Sequence, residues 1–396
     1  MERSITGLER LCQESTWQKK IKGNVAYLCH QASVDSNYNW GPALLQKLLG
    51  KRLVALWGPQ HGLVTNVQDN MIESPDFIHP YFKIPVYSLY SHTRAPTPQM
   101  LQNIDTLIVD LQDVGTRVYT YIWTLSHIME SCAGRDINLV ILDRPNPVNG
   151  LTIEGNLLDL NFSSFVGRLP LPMRHAMTIG EVALFFKKHY KLDCQLEIIP
   201  MENWQRFQYF DQTGLPWILP SPNLPNSESA LVFLSTVLFE GTNISEGRGT
   251  TKSLEVIGHP LLEPCALSEQ LTTLFAKEKL SGCKLRPIYF LPMFQKHMGV
   301  GCGGVQIHVA NREHFAPWKV GQYLCKFLYH HLESNFSWKS PPYEYEYEKL
   351  PIDLINGTDK IRNWIEKNGS MEELLLIENY QLDNFLNLRQ EILIYR

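Results

Sequence analysis

Four apolar segments of this chain each run out into a cluster of polar side chains. NVAYLC (24–29) leads into His30-Gln31-Ala32-Ser33, and RLVALW (52–57) leads into Gly58-Pro59-Gln60-His61-Gly62, with Glu73 further along. DTLIVDL (105–111) brings Asp110 and continues through Gln112, Asp113 and Arg117, while NLVILD (138–143) continues as Asp143-Arg144-Pro145-Asn146-Pro147. Carboxyls beside imidazole, amide and guanidinium groups are the equipment of acid–base chemistry and of polar-substrate recognition. Taken singly, each cluster has a structural explanation. Pro145-Asn146-Pro147 suits a turn, Asp113 and Arg117 are spaced for an ion pair at a helix end, and a lone histidine is usually a hydrogen-bonded core residue. Four such clusters at the ends of four apolar segments point to function.

A second concentration lies later. LPSPNLP (219–225) carries Asn223, and FEGTNISEGRGTT (239–251) carries Glu240, Asn243, Ser245, Glu246, Arg248 and Thr250 between glycines. Glycine lets a backbone approach a ligand closely, and an arginine there can grip a carboxylate with two parallel hydrogen bonds. GRGTTKS lacks the GxxxxGK[ST] spacing of a phosphate-cradling loop, no GxGxxG follows the first strand, and no GxSxG elbow occurs. A nucleotide cofactor is therefore not expected. The eight cysteines are scattered without CxxC pairs or zinc spacing, so no metal is expected either.

The segments that must position these groups alternate between strand and helix. The strands at 24–29, 52–57, 105–111, 138–143 and 194–201 alternate with amphipathic stretches at 41–50, 118–133 and 178–190. Continuous apolar strands separated by helices predict an α/β fold with a parallel sheet covered on both faces. Ligands of such sheets bind beyond the carboxyl ends of the strands, so the four polar clusters should share one edge. After about residue 250, shorter strands (KLRPIYFLP, GGVQIHVA) mix with helical stretches (VGQYLCKFLYHHLE, TDKIRNWIEKN). This predicts an α/β domain over residues 1–252 and a smaller α+β domain over 253–396 closing the cleft.

The totals bound the partners. With 396 residues, 44% hydrophobic and 19% charged, the chain can bury a sizeable core. Its 36 basic and 40 acidic residues are well mixed, with no basic stripe, which argues against nucleic acid as a partner. No run of about 18 apolar residues is present to span a membrane. MERSITGLERLCQESTWQKK lacks an apolar signal-peptide core, so a cytoplasmic location is expected rather than secretion of a processed precursor.

The stretches GPQHG, PVYSLY, VDLQDVGTRVYTYI, LDRPNPVNG, SFVG, MTIGE, PSPNLP and FEGTNISEGRGTT resemble, in this order, the motifs of the NamZ-like exo-β-N-acetylmuramidases, from about Val25 to Val309. The resemblance implies a Rossmann-like N-terminal domain that holds no nucleotide, a smaller C-terminal domain and an active site in the cleft between them. It implies hydrolysis of a terminal N-acetylmuramic acid from the non-reducing end of peptidoglycan fragments. The substrate would be a muropeptide or glycan fragment, and the role would be in cell-wall recycling. One departure stands out: the family pattern Gly-Pro-Glu-His-Gly reads Gly58-Pro59-Gln60-His61-Gly62 here. An amide cannot exchange a proton as a carboxyl does.

Glycoside hydrolysis normally needs two carboxyls, or one with a substrate acetamide that assists. With glutamine at position 60, the nearest replacement carboxyl is Glu73, which is the expected acid/base with Asp113 as its partner, and Asp110, Glu240 and Glu246 are the alternatives. His61 and Asn223 would orient hydroxyls or the acetamide, with Gln60, Gln112, Asn146 and Asn243 as further polar contacts. Arg117 or Arg248 would hold the lactyl carboxylate that distinguishes muramic acid from glucosamine. Tyr119, Tyr121 and Trp123 would offer a sugar platform, or else face the core. The rival expectations are a non-catalytic muropeptide- or amino-sugar-binding protein, an exo-glycosidase for another amino sugar, and a nucleotide-dependent enzyme. The missing glycine fingerprint disfavours the last.

Overall fold

A computed structural model describes residues 2–69 and 71–396. Seven strands form the main sheet: β1 Val25–Cys29, β2 Leu53–Gly58, β3 Phe77–Ile78, β4 Pro85–Ser88, β5 Thr106–Asp110, β6 Asn138–Leu142 and β7 Gln195–Ile199. Their spatial order is β3-β4-β2-β1-β5-β6-β7, and every pairing is parallel except β3 with β4. Both faces are covered, as continuous apolar strands require. Ala26 and Leu28 of β1, with Leu107 and Val109 of β5, enter one core, while Val25, Tyr27, Cys29 and Ile108 enter the other. This period of two divides each strand between two helical layers. The helices Tyr121–Cys132 and Ile179–His189 cover the first face, and Gly7–Gln13 and Gly41–Leu49 cover the second.

A three-stranded antiparallel sheet follows: β8 Val256–His259, β9 Cys283–Phe290 and β10 Cys302–Val309, in the order β8-β10-β9. Together with the large parallel sheet it gives the expected fold class, α/β with a smaller α+β part. The two parts share one apolar core, which runs from Leu28 through Leu254 and Ile257 to Trp318 and Ile352. The helix Ser227–Thr236 packs on the helix Pro317–Leu332. At their crossing a Cβ on Gly321 would stand 2.3 Å from the Ser235 carbonyl oxygen, so only glycine allows this approach.

Arg117 ties the two parts together. Its side chain is fully buried and donates to four backbone carbonyls: Asn156 (2.7 Å), Leu171 (2.8 Å), Ile355 (3.1 Å) and Asn356 (2.7 Å). No described helix is long and apolar enough to cross a membrane.

Candidate functional site

The strand order reverses between β1 and β5, where an open parallel sheet usually takes its ligand. Here that crevice is filled by its own polar groups. Arg144 forms a buried ion pair with Asp110 (2.5 Å), the Tyr27 hydroxyl donates to the same carboxylate (2.5 Å), and Ser33 Oγ donates to the Asp110 carbonyl (2.6 Å). The hollow opens instead beyond β2, on the side of the smaller part.

It is a narrow notch of about 50 Å³ whose lining includes Gln60, His61, Tyr119, Thr120, Ser221, Asn223, Glu240, Arg248, Tyr343 and Glu344. Beside it lies a cleft of about 570 Å³, which shares Glu240 and Tyr343 with the notch. Asp69, Asn243, Glu246, Lys296, Trp338 and Lys339 complete much of the cleft wall. A space of the cleft's size is large enough for a sugar ring.

Two carboxyls in the notch sit in opposed environments. Glu240 is buried, which alone would raise its pKa. The Arg248 guanidinium at 2.5 Å and the Tyr343 hydroxyl at 2.7 Å outweigh that and hold the carboxyl below its usual range. Arg248 also meets Glu246 (3.3 Å), which Lys296 holds at 2.6 Å. Glu344 lacks such a cation in direct contact. Burial drives its pKa up to about 7, with the nearby Glu240 charge adding to the rise. Its partners are neutral: Gln60 Nε2 donates to Oε1 (3.2 Å) and the Tyr90 hydroxyl donates to Oε2 (2.7 Å). Thr120 Oγ1 donates to Gln60 Oε1 at 2.5 Å, which turns the amide nitrogen toward Glu344.

His61 has φ 70° at the bend after β2, followed by Gly62 at φ 77°. Its Nδ1 lies 2.8 Å from the Val67 carbonyl oxygen. A carbonyl can only accept, so Nδ1 carries the proton and Nε2 is left as an acceptor. Burial lowers the imidazolium pKa to about 4, so the ring is neutral at neutral pH. We expect ¹⁵N NMR to find His61 as the neutral Nδ1–H form over about pH 5 to 8. A titration near the ordinary histidine value would contradict this environment.

The structure brings His61, Gln60, Asn223, Glu240 and Arg248 together in the notch, with Tyr119. Asn223 Nδ2 donates to the Gln68 carbonyl at 2.8 Å, which Arg248 also reaches at 3.3 Å. Asn243 and Glu246 line the cleft. The four strand ends lie at one edge of the parallel sheet, as expected, but they do not share one hollow: only the end of β2 opens into the notch. Asp110 is consumed by Arg144. Gln112 Nε2 donates to the Asp113 and Pro145 carbonyls. Asp113 accepts from the Gly115 N–H (2.8 Å) and faces His175 (3.4 Å). Asn146 donates to the Met177 carbonyl and accepts from the Val148 N–H. Arg117 serves the four carbonyls above and lies away from the notch. Their side chains hold backbone or neighbouring side chains, and none of the five lines the notch or the cleft. Tyr121 donates to the Pro220 carbonyl, and Trp123 stacks on Phe186 in the core.

Glu73 lies outside the notch. Its side chain is 47% exposed, 3.5 Å from Arg94, and accepts a hydrogen bond from Tyr345 at 3.3 Å. The burial that a proton-holding carboxyl needs is found at Glu344, which sequence reasoning missed together with Tyr90, Thr120 and Tyr343. Glu344 lies in YEYEYE, 284 residues from Gln60, and no spacing links the two.

Comparison with known proteins follows the same segments. Residues 25–228 match the family described as exo-beta-N-acetylmuramidase NamZ, N-terminal, and residues 231–395 match its C-terminal counterpart. The chain is 39% identical over 391 residues to the peptidoglycan beta-N-acetylmuramidase NamZ of Bacillus subtilis (strain 168), covering 98% of this chain and 91% of that protein. Two crystal structures of DUF1343 family proteins from Bacteroides fragilis NCTC 9343 share the fold. One has TM-score 0.87 at 28% identity and the other 0.75 at 30%, each covering 100% of this chain and 99% of the other. This chain thus belongs to the NamZ exo-β-N-acetylmuramidase family across both its N-terminal and its C-terminal region.

Proposed function

We propose that this protein is an exo-acting glycoside hydrolase that releases terminal N-acetylmuramic acid from the non-reducing end of peptidoglycan fragments. The observation that carries this reading is that GPQHG and FEGTNISEGRGTT, two stretches of the family likeness, form one notch in space. There Gln60 and His61 face Glu240 and Arg248. A pyranose ring fills the cleft, and its scissile bond is presented at the partition made by Glu240 and Tyr343. His61 Nε2 and Asn223 orient hydroxyls or the acetamide. Action on soluble fragments suits a role in wall recycling.

Incubation with the disaccharide N-acetylmuramyl-β-1,4-N-acetylglucosamine tests the reading. Free N-acetylmuramic acid is the expected product. Calorimetric binding without release would favour the second reading, a muropeptide-binding protein, for which the amide at Gln60 is the specific support.

Arg248 is already engaged by two carboxylates and a carbonyl, so it is a poor candidate for the lactyl carboxylate. Lys296 is likewise held by Glu246 and two carbonyls. Lys339 is an exposed cation on the cleft wall and suits that role. Solvent-exposed ion pairs contribute about 0.2–1 kcal/mol. Lys339→Met should therefore reduce the preference for muramides over glucosaminides by at most about fivefold, read as a ratio of kcat/KM values. An unchanged ratio would remove Lys339 from substrate discrimination.

A further inference from the structure

We infer that Glu344, delivered by the smaller C-terminal part of the fold, is the catalytic proton donor to the leaving sugar, with Glu240 as the ionised partner carboxylate. The inference rests on the hydrolase reading above and assigns its chemistry to particular atoms.

Geometry supports it first. Glu344 is buried in the notch wall, and its chain neighbour Tyr343 donates to Glu240 at 2.7 Å. Gln60 and Tyr90 each hold one of its oxygens. The backbone is set for this placement at a conformational cost. Glu344 and Tyr345 have φ 45° and 67°, and Tyr343 and Glu346 exchange both backbone hydrogen bonds around them (2.9 and 3.0 Å). Such a turn favours Asn-Gly, and side chains like these rarely occupy it. Strained positions kept by their surroundings concentrate at functional sites. The turn is pinned by the Arg94 guanidinium, 3.6 Å above the Tyr345 ring.

Electrostatics supports it second. A general acid must hold its proton near neutral pH while its partner stays ionised, and differing environments are what separate two such carboxyls. Burial beside neutral donors raises Glu344 to about 7, whereas Arg248 keeps Glu240 low. The Glu344 proton moves to the glycosidic oxygen as the C1–O bond breaks, and the bond's electron pair stays on that oxygen. Water supplies the hydroxyl that ends on C1 and the proton that returns to Glu344. Gln60, fixed by Thr120, positions this carboxyl and exchanges no proton itself.

The test compares wild type with Glu344→Gln on two muramides, the natural disaccharide and a 4-nitrophenyl β-muramide. The disaccharide has a poor leaving group, so loss of the acid should lower its kcat/KM by about 10²–10⁴-fold. The nitrophenyl substrate needs little protonation and should lose less than about tenfold. Wild-type activity on the disaccharide should fall as pH rises through about 7, because the acid must be protonated. Tyr90→Phe removes a donor that favours the ionised form, so it should move that alkaline limb upward. Glu344→Gly suits the positive φ and should keep the melting temperature within a few degrees while losing disaccharide turnover. Equal losses on both substrates, or an alkaline limb that Tyr90→Phe leaves in place, would overturn the assignment of Glu344 alone. A wild type that cleaves neither muramide would overturn the hydrolase reading as well.

Discussion

Arg248→Met should lower kcat/KM for muramide hydrolysis by about 10²–10³-fold. Arg248 is buried between Glu240 at 2.5 Å and Glu246 at 3.3 Å. Removing one partner of a buried ion pair leaves the other charge uncompensated, at about 3–5 kcal/mol. Lys296 holds Glu246 directly and acts on Glu240 only as a weaker charge than Arg248. The Glu240 carboxyl would then follow burial and protonate at higher pH. The folded-state pKa of Glu240 lies below its unfolded value, so its contribution is present above the ordinary carboxylate range and is lost as pH falls through the folded value. In Arg248→Met that contribution disappears, and the acidic limb of activity moves to higher pH. Arg248→Lys keeps the charge but not the fork that serves two carboxylates, so it should recover the fold better than the rate. Profiles of kcat/KM across about pH 4 to 8, with denaturant titrations, read both effects. An unshifted acidic limb would show that Glu240 does not act as the ionised group.

Arg117→Met should lower the melting temperature by about 5 °C or leave the protein insoluble. The guanidinium satisfies four buried carbonyls, two from residues 156 and 171 and two from residues 355 and 356. Each orphaned acceptor costs about 1 kcal/mol or more. Four make about 4 kcal/mol, a large share of the margin of about 5–15 kcal/mol by which proteins are folded. With an unfolding entropy of about 2.1 cal/mol/K per residue, a chain of 396 residues shifts by about 1.2 °C per kcal/mol, which gives the stated shift. Burial without a carboxylate partner lowers the Arg117 pKa to about 9, which fits a side chain held by carbonyl dipoles. A scanning-calorimetry midpoint within about 2 °C of wild type would mean that the carbonyls find water or other donors.

The main sheet was legible because five of its strands are apolar runs between amphipathic helices, and β1, β2, β5, β6 and β7 lie where those runs do. The outermost pair on one side of the sheet, β3 and β4, was not. β3 has two residues and β4 four, too short for any periodicity to show. The polar clusters at the strand ends were legible as clusters but not as partners of one another. Arg144 is long enough to cross to Asp110, and once it does, the crevice at the strand-order reversal is closed. His61, Asn223, Glu240 and Arg248 were identified because their segments are dense in chemistry and glycine. Glu344 was invisible for the opposite reason. Its role depends on a turn that no residue type announces, on burial, and on Gln60 from the far end of the chain.

The most direct test is the crystal structure of Glu344→Gln with the uncleaved muramyl disaccharide bound. The account predicts the muramyl ring in the cleft, with its glycosidic oxygen within about 3.2 Å of the side-chain amide at position 344 and the Glu240 carboxylate close to the anomeric carbon. A disaccharide whose glycosidic oxygen rests at the rim beside Glu73, with the notch untouched, would contradict it.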